Sequence, residues 1–399
     1  MKAIINGRCI VPNDVGDFVV RDSLAVVFDD LIRAVLPLGD IDRTRISEVI
    51  DAGGLFVSPG FINIHIHGCN GFDTMDNSSI ALVEISRFLP STGVTSFLPT
   101  TMTMPLESIH SALRRIRQEM SQPAGEMRVD TLTTQDDQDI SPRAKILGAN
   151  VEGPYISSAY KGAQSEGNIR SPNFEEIADF IDVIKLITIA PEQIKSGNDF
   201  LQRCAKAGII VSIGHSAADY ETSLRAIQGG ASHITHLFNA QTGLHHRKPG
   251  IVGTALDTEV VVELIADNIH VHPMLQRLVW KTKLHSQIVL ITDSMRACGL
   301  SDGVYELGGQ RVTVCGEQAL LDDGTIAASI APMNRVLAKF RANSGAKIAE
   351  VVELVTRNPA TELGFYSKLG SLEVGKTADI VLFDEDFNIH SAWIGLNNN

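Results

Sequence analysis

Six residues of types that bind metal ions fall at or just after the ends of short apolar runs: His65, His67, Glu152, His215, His236 and Asp293. Imidazole nitrogens and carboxylate oxygens gathered around one point make a cation site. A metal ion held there supplies what hydrolysis of an unreactive amide needs, an activated water and a polarised carbonyl. His65 and His67 are two apart, so they project from one face of a strand, as a chelating pair must. That pair alone says little, because 12 histidines in 399 residues produce an accidental HxH about 0.4 times. The weight lies in the recurrence of such residues after one apolar run after another.

Those runs number eight, at 61–67, 94–98, 146–151, 184–189, 209–213, 232–235, 260–265 and 288–292. Apolar throughout and separated by helical stretches, they predict parallel strands buried on both faces. Ile109, Leu113, Ile116 and Met120, and likewise Leu275, Leu278 and Val279, recur at helical spacing and give each helix one apolar stripe. Gly93, Gly208 and Gly230 each precede a strand, where a left-handed residue ends a helix. The pattern predicts an α/β fold of the (β/α)8 TIM-barrel type, in which all strand C-termini open on one face and distant residues converge there. An open doubly wound sheet is the alternative, weakened by the lack of a GxGxxG or GxxxxGK[ST] after the first strand. Before residue 58 the chain reads as short strands at 3–5, 24–28 and 32–35 broken by turns, and the tail LGSLEVGKTADIVLFD returns to that character. The expected organisation is a small β-sandwich domain from 1–57 and 358–399, with the barrel at 58–357. The polar stretch 121–143 reads as a surface excursion.

Composition sets the outer bounds. At 44% hydrophobic and 20% charged, the chain can bury a large core, and its net charge of −13 argues against nucleic acid or an anionic membrane as partner. No apolar stretch is long enough to span a bilayer, and the opening MKAIINGRCIVPND lacks the core of a signal peptide. Five scattered cysteines, with no CxxC, fit a reducing compartment, and the expected location is the cytoplasm. Of the remaining histidines, His110, His285 and His390 read as surface residues and His233 as core. His245, His246 and His272 fall in loops at the barrel mouth, and His270 is the one expected to meet substrate.

The strings around these residues resemble the amidohydrolase superfamily and, within it, the N-acetylglucosamine-6-phosphate deacetylase family. They are PGFINIHIHG at 59–68, GVTSFLPT at 93–100, VEGPY at 151–155, KGAQ at 161–164, GHSAA at 214–218, THLFNA at 235–240, HHRKPG at 245–250 and ITDSM at 291–295. NPATELG at 358–364 and GSLEVGKTADIVLFD at 370–384 extend the match to the tail. The resemblance implies a homodimer with one or two divalent ions, zinc or iron. Glu152, His215 and His236 would hold the main ion, and His65 and His67, with Glu152 bridging and Asp293 nearby, a second. It also implies that Gln164, Asn239, Ala240, Arg247 and His270 contact an amino sugar phosphate, with Arg247 reaching the neighbouring subunit's site. Three positions depart from the family pattern: Asn268 for Gly, Ser294 for Ala, and Ala328 for Gly in IAAS, where the acetyl group is expected. TGLHHRKPG also resembles N-acetylgalactosamine-6-phosphate deacetylases, which leaves the sugar epimer open.

For the chemistry, Asp293 is expected to take a proton from water and return it to the departing nitrogen. The planar fork of Arg247 suits phosphate oxygens. A cyclic-amide hydrolase or deaminase of the same superfamily would share these ligands, and a non-catalytic scaffold would share the barrel. Glu152 stands where several of the former use a modified lysine, and retention of every ligand type argues against the latter.

Overall fold

The structure, a computed structural model, describes residues 1–121 and 143–396. Nearly all of the polar excursion expected at 121–143 lies outside the described residues.

Strands from the two ends of the chain share one sheet. Its order is Ile389–Trp393, Ile380–Phe383, Phe56–Pro59, Lys2–Pro12, Phe18–Phe28 and Ile32–Pro37, with Glu48–Asp51 also paired to Lys2–Pro12. Ile380–Phe383 runs antiparallel to Phe56–Pro59 in the register Ile380↔Pro59 to Phe383↔Phe56, so the tail closes directly on the segment that leads into the first long parallel strand.

The rest is mixed α/β around a curled parallel sheet. Phe61–Ile66, Val94–Pro99 and Lys145–Ile146 pair in parallel, and so do Ala149–Glu152, Ile184–Ile189, Ile210–Ile213, Ala231–Ile234, Val261–Ile265 and Ile288–Ile291. The two sets join where Leu147 N–H donates to Phe97 O and Thr101 N–H to Asn150 O, both at 3.0 Å. At the far edge Asp293 N–H donates to His65 O at 3.0 Å, and Asn63 Nδ2 to Thr292 Oγ1 at 2.7 Å, tying the last strand to the first. Every residue of Phe61–Ile66, Val94–Pro99 and Ala149–Glu152 is buried, which is why these runs carry no polar alternation.

Helices cover the sheet with the faces their spacing predicts. Ile109, Leu113 and Ile116 of Leu106–Met120 are buried, as is Val279 of Pro273–Thr282, with Leu275 and Leu278 half-buried beside it. Gly93 ends the turn Leu89–Thr92 at φ 84°, and a Cβ there would run into the ring of Phe61, so the position demands glycine twice over.

Three features depart from the sequence reading. The third run is broken at Leu147 and Gly148, the latter at φ 150°, so one half pairs with the second strand and the other with the fourth. Between Glu152 and Ile184 the chain makes short 3-10 turns rather than an α-helix, in a stretch punctuated by Gly153, Pro154, Gly162, Gly167 and Pro172. After the last parallel strand an antiparallel three-stranded sheet, Gly303–Leu307, Gln310–Cys315 and Gln318–Leu321, stands where no strands were expected.

Candidate metal centre

Each ligand-type residue is delivered by a strand terminus. His65 lies within Phe61–Ile66 and His67 just beyond it, and Glu152 is the last residue of its strand. His215, His236 and Asp293 each lie two residues past a strand end, at φ 45°, 28° and 49°. A left-handed non-glycine residue is strained by about 1–3 kcal/mol and persists only where its surroundings over-determine it. Three such kinks at equivalent positions turn three side chains inward across the same mouth.

There the six side chains meet. Glu152 Oε1 lies 3.0 Å from His215 Nε2, 2.9 Å from His236 Nε2 and 3.6 Å from His65 Nε2, and its Oε2 lies 3.1 Å from His67 Nε2. Asp293 Oδ1 is 3.2 Å from His67 Nε2 and 3.4 Å from His65 Nε2. Two trios result, His65 with His67 and Asp293, and Glu152 with His215 and His236, each with donor atoms within 4.8 Å of one another. The arrangement fits a cation better than it fits hydrogen bonding. His215 and His236 direct their Nε2 atoms at one carboxylate oxygen while only 3.1 Å apart, and the buried His65 Nε2 has no hydrogen-bond partner among the described residues. Donors around a zinc ion with bonds near 2.0–2.1 Å would stand roughly 3.3 Å apart.

Neighbouring groups aim the rings. Nδ1 of His65 faces Glu263 Oε2 at 2.9 Å, that of His67 faces Thr100 O at 3.3 Å, and that of His215 faces Tyr160 O at 2.9 Å. An acceptor at Nδ1 keeps the proton there and leaves the Nε2 lone pair directed at the centre. Gln164 donates to Glu152 Oε2 at 2.7 Å and accepts from Thr103 N–H at 2.6 Å, so the shared carboxylate is itself held. Of the six, all but His65 form one wall of a cavity of about 360 Å³ whose other walls include Tyr160, Asn239, Ala240, His270, Leu307 and Ile326.

Residues 56–399 match the amidohydrolase family. The chain belongs to the amidohydrolase family. It is 40% identical over 336 residues to an N-acetylglucosamine-6-phosphate deacetylase of Bacillus subtilis (strain 168), an alignment covering 83% of this chain and 81% of that one. To an N-acetylgalactosamine-6-phosphate deacetylase of Escherichia coli O157:H7 it is 32% identical over 373 residues, 92% of each. The crystal structure of N-acetylglucosamine-6-phosphate deacetylase from Pasteurella multocida superposes with a TM-score of 0.88 at 30% identity, covering 100% of both chains.

In this amidohydrolase the protein groups alone form a dense charge network. Burial opposes the charged forms of His65 and His67, but the surrounding carboxylates outweigh it and raise both, His67 most strongly. Burial likewise pushes Glu152 up, and His215, His65 and His236 overcome it, holding that carboxyl well below its usual range. Asp293 is lowered in the same way, with His65 and His67 outweighing burial.

Of the residues expected to meet substrate, Gln164, Asn239, Ala240 and His270 line the cavity. His270 is half-buried, with Nδ1 held by Asp267 Oδ2 at 2.6 Å. Arg247 does not line the cavity; it is exposed, and its Nη1 lies 2.6 Å from His246 Nε2. His245 and His246 pack on each other with ring centroids 4.2 Å apart, and His272 caps Pro273–Thr282, so none of the three joins the cavity wall. Ala328 is buried among Met295, Ala297 and Leu307, and its neighbour Ala327 lines the cavity. Asn268 has φ 68°, a conformation asparagine tolerates, and its Oδ1 accepts from Gln276 at 3.0 Å and Asn343 at 2.6 Å. Ser294 Oγ donates to Gly68 O at 3.0 Å.

Sequence reasoning missed Glu263 and Asp267, which hold His65 and His270, and Leu307 of the antiparallel sheet. A signal existed for the first: Glu263 is the lone charge inside the apolar run VVELIA, and an acid at the centre of a buried strand needs a partner.

Proposed function

We propose that this amidohydrolase removes the acetyl group of N-acetylglucosamine 6-phosphate, giving acetate and glucosamine 6-phosphate. The observation that carries this reading is the pair of adjoining trios, with Glu152 of one reaching both histidines of the other, at the wall of a cavity in a chain whose relatives include N-acetylglucosamine-6-phosphate deacetylases. The architecture we assign is a closed (β/α)8 barrel over 58–357, with a small β domain from 1–57 and 358–399; the bonds between the first and last strands and the sheet shared by both chain ends support it.

Glu152, His215 and His236 would hold one divalent ion, zinc or iron, and His65 and His67 with Asp293 a second. When bound, such an ion supplies an activated water and polarises the amide carbonyl. Asp293 takes the water's proton on a carboxylate oxygen and delivers it to the amide nitrogen as the carbon–nitrogen bond breaks, so that water and amide become acetate and amine. His270, with Nδ1 engaged by Asp267, offers Nε2 to the substrate, and Gln164, Asn239 and Ala240 shape the cavity around the sugar. Arg247, on an exposed loop away from its own chain's cavity, suits the phosphate in a neighbouring copy's site, which makes a homodimer the working unit. No helix among the described residues is long and apolar enough to cross a membrane, and a cytoplasmic location agrees with that.

The test is acetate release from N-acetylglucosamine 6-phosphate, N-acetylgalactosamine 6-phosphate and the unphosphorylated sugars, with metal content measured on the same sample. We expect fastest turnover of the gluco phosphate, and loss of turnover in Asp293→Asn by about 10²-fold or more with the ion held by Glu152 retained. Faster turnover of the galacto epimer would assign the alternative substrate. No acetate from any of them, or near-normal turnover by Asp293→Asn, would end the respective assignment.

A further inference from the structure

Glu263 sits at the middle of Val261–Ile265 and is completely buried. One of its oxygens does two things. Oε2 accepts from His65 Nδ1 at 2.9 Å and from the main-chain N–H of His236 at 3.0 Å. The carbonyl of the same residue accepts from Leu237 N–H at 2.9 Å. Glu263 therefore grips the ring of a residue in one trio and the peptide of a residue in the other, and that second peptide belongs to the left-handed kink at φ 28°. Behind it, Oε1 faces His233 Nε2 at 3.4 Å, and His233 Nδ1 faces Glu362 Oε1 at 3.2 Å.

We infer that Glu263 is a positioning residue for both halves of the centre, fixing the His65 tautomer and the His236 backbone while lending its charge to the His65 ring. An ionised carboxylate only accepts, so the hydrogen bond at 2.9 Å puts the imidazole proton on Nδ1 and leaves the Nε2 lone pair free. Negative charge at that proton makes the opposite nitrogen a better donor to a cation. The bond to His236 N–H offsets strain at a kink that would otherwise relax and swing the ring away.

Because both bonds fall on a single oxygen, Glu263→Gln can keep them, its amide oxygen accepting twice, while the charge is lost and the His233 ring, now facing an NH2, gives up its Nε2 proton. Glu263→Leu loses both bonds as well. Metal affinity is read by competition with a chromogenic chelator, alongside the melting temperature of the metal-free proteins. Glu263→Gln should still unfold in one cooperative transition, at a temperature between those of wild type and Glu263→Leu, yet bind metal about 10–100-fold more weakly, and Glu263→Leu should bind more weakly still. A measurement on the wild type does not depend on either variant folding. In nitrogen-15 spectra of the metal-loaded protein, the His65 ring, identified by its absence in His65→Asn, should carry its proton on Nδ1.

Wild-type affinity in Glu263→Gln, or a His65 ring without a proton on Nδ1, would overturn the assignment. The inference rests on the metal-dependent reading above, and the two fail differently. Absence of metal from the wild type defeats that reading, whereas metal on the wild type held equally well by Glu263→Gln defeats only the role of Glu263.

Discussion

His233 is as buried as any of the ligand-type residues and touches none of them, yet it stands between two carboxylates. Burial alone would keep its ring neutral, but Glu263 and Glu362 outweigh burial and lift its pKa from 6.5 to about 9. The sign of the resulting pH dependence follows. A folded-state pKa above the unfolded one contributes stability in full below the unfolded value, near 6.5, and that contribution is lost as pH rises through about 9. The protonated ring is thus a stabilising element on the order of 3 kcal/mol at acid to neutral pH. With metal saturating, so that His65 and His67 do not titrate, the melting temperature of the wild type should fall between pH 6.5 and 9 more steeply than that of His233→Gln. Identical slopes would show that the two carboxylates do not raise the pKa of His233.

Strand ends do the aiming, and their tolerance for added atoms is small. Gly214 separates Ile210–Ile213 from His215, and a Cβ at that position would stand 2.6 Å from Thr235 Cβ and 3.0 Å from Thr188 Cγ2. Neither threonine can swing aside, because both are fully buried and their hydroxyls bond each other at 2.8 Å, with Ser212 joining at 2.5 Å. Gly214→Ala should therefore lower stability by about 1–3 kcal/mol and displace His215 enough to reduce metal content. Gly167→Ala, where nothing lies within 4 Å, should do neither, and a Gly214→Ala protein indistinguishable from it would refute the argument. The same elements explain what could be read in the sequence. Parallel strands buried on both faces appear as uninterrupted apolar runs, so the run at 184–189 was legible to the residue and the ligand-type residues after the runs were legible with it. Gly303–Leu307 and Gln310–Cys315 escaped notice because half-exposed strands alternate; Val312 and Val314 are buried while Arg311, Thr313 and Cys315 are exposed, and no run of apolar residues results. The break at Gly148 was hidden because glycine inside an apolar run looks the same whether the strand continues or bends. Arg247 shows another limit: its motif was plain, yet the side chain stands exposed and away from the cavity that the motif suggested.

Across the whole molecule, the sheet built from both chain ends is fastened to the curled parallel sheet by a buried ion pair. Lys145, at the start of the broken third run, donates from Nζ to Asp379 Oδ1 at 2.6 Å, and Asp379 also accepts from Gly395 N–H at 3.1 Å. Asp379 immediately precedes Ile380–Phe383, and its carbonyl accepts from Gly60 N–H at 2.8 Å, at the entry to Phe61–Ile66. One residue therefore contacts the tail, the linking segment and the third run. Two buried charges are not in themselves a strong source of stability, since leaving water offsets most of their attraction. Removing one of them is a different matter, because the other remains buried without a counter-charge. Lys145→Met should therefore destabilise by about 3–5 kcal/mol, with Asp379 stranded, while Lys145→Met combined with Asp379→Leu should recover much of the loss. Chemical denaturation of the two variants decides it, and calorimetry adds where the loss falls. If the pair fastens the two sheets, the single variant should unfold its end-strand sheet before the rest, as a separate early transition that the double variant lacks. A single variant as stable as wild type would mean that water already reaches the pair and that the two sheets are held by their apolar contact alone, for which Phe56, Phe61, Phe383 and Phe387 form the stacked and tilted seam.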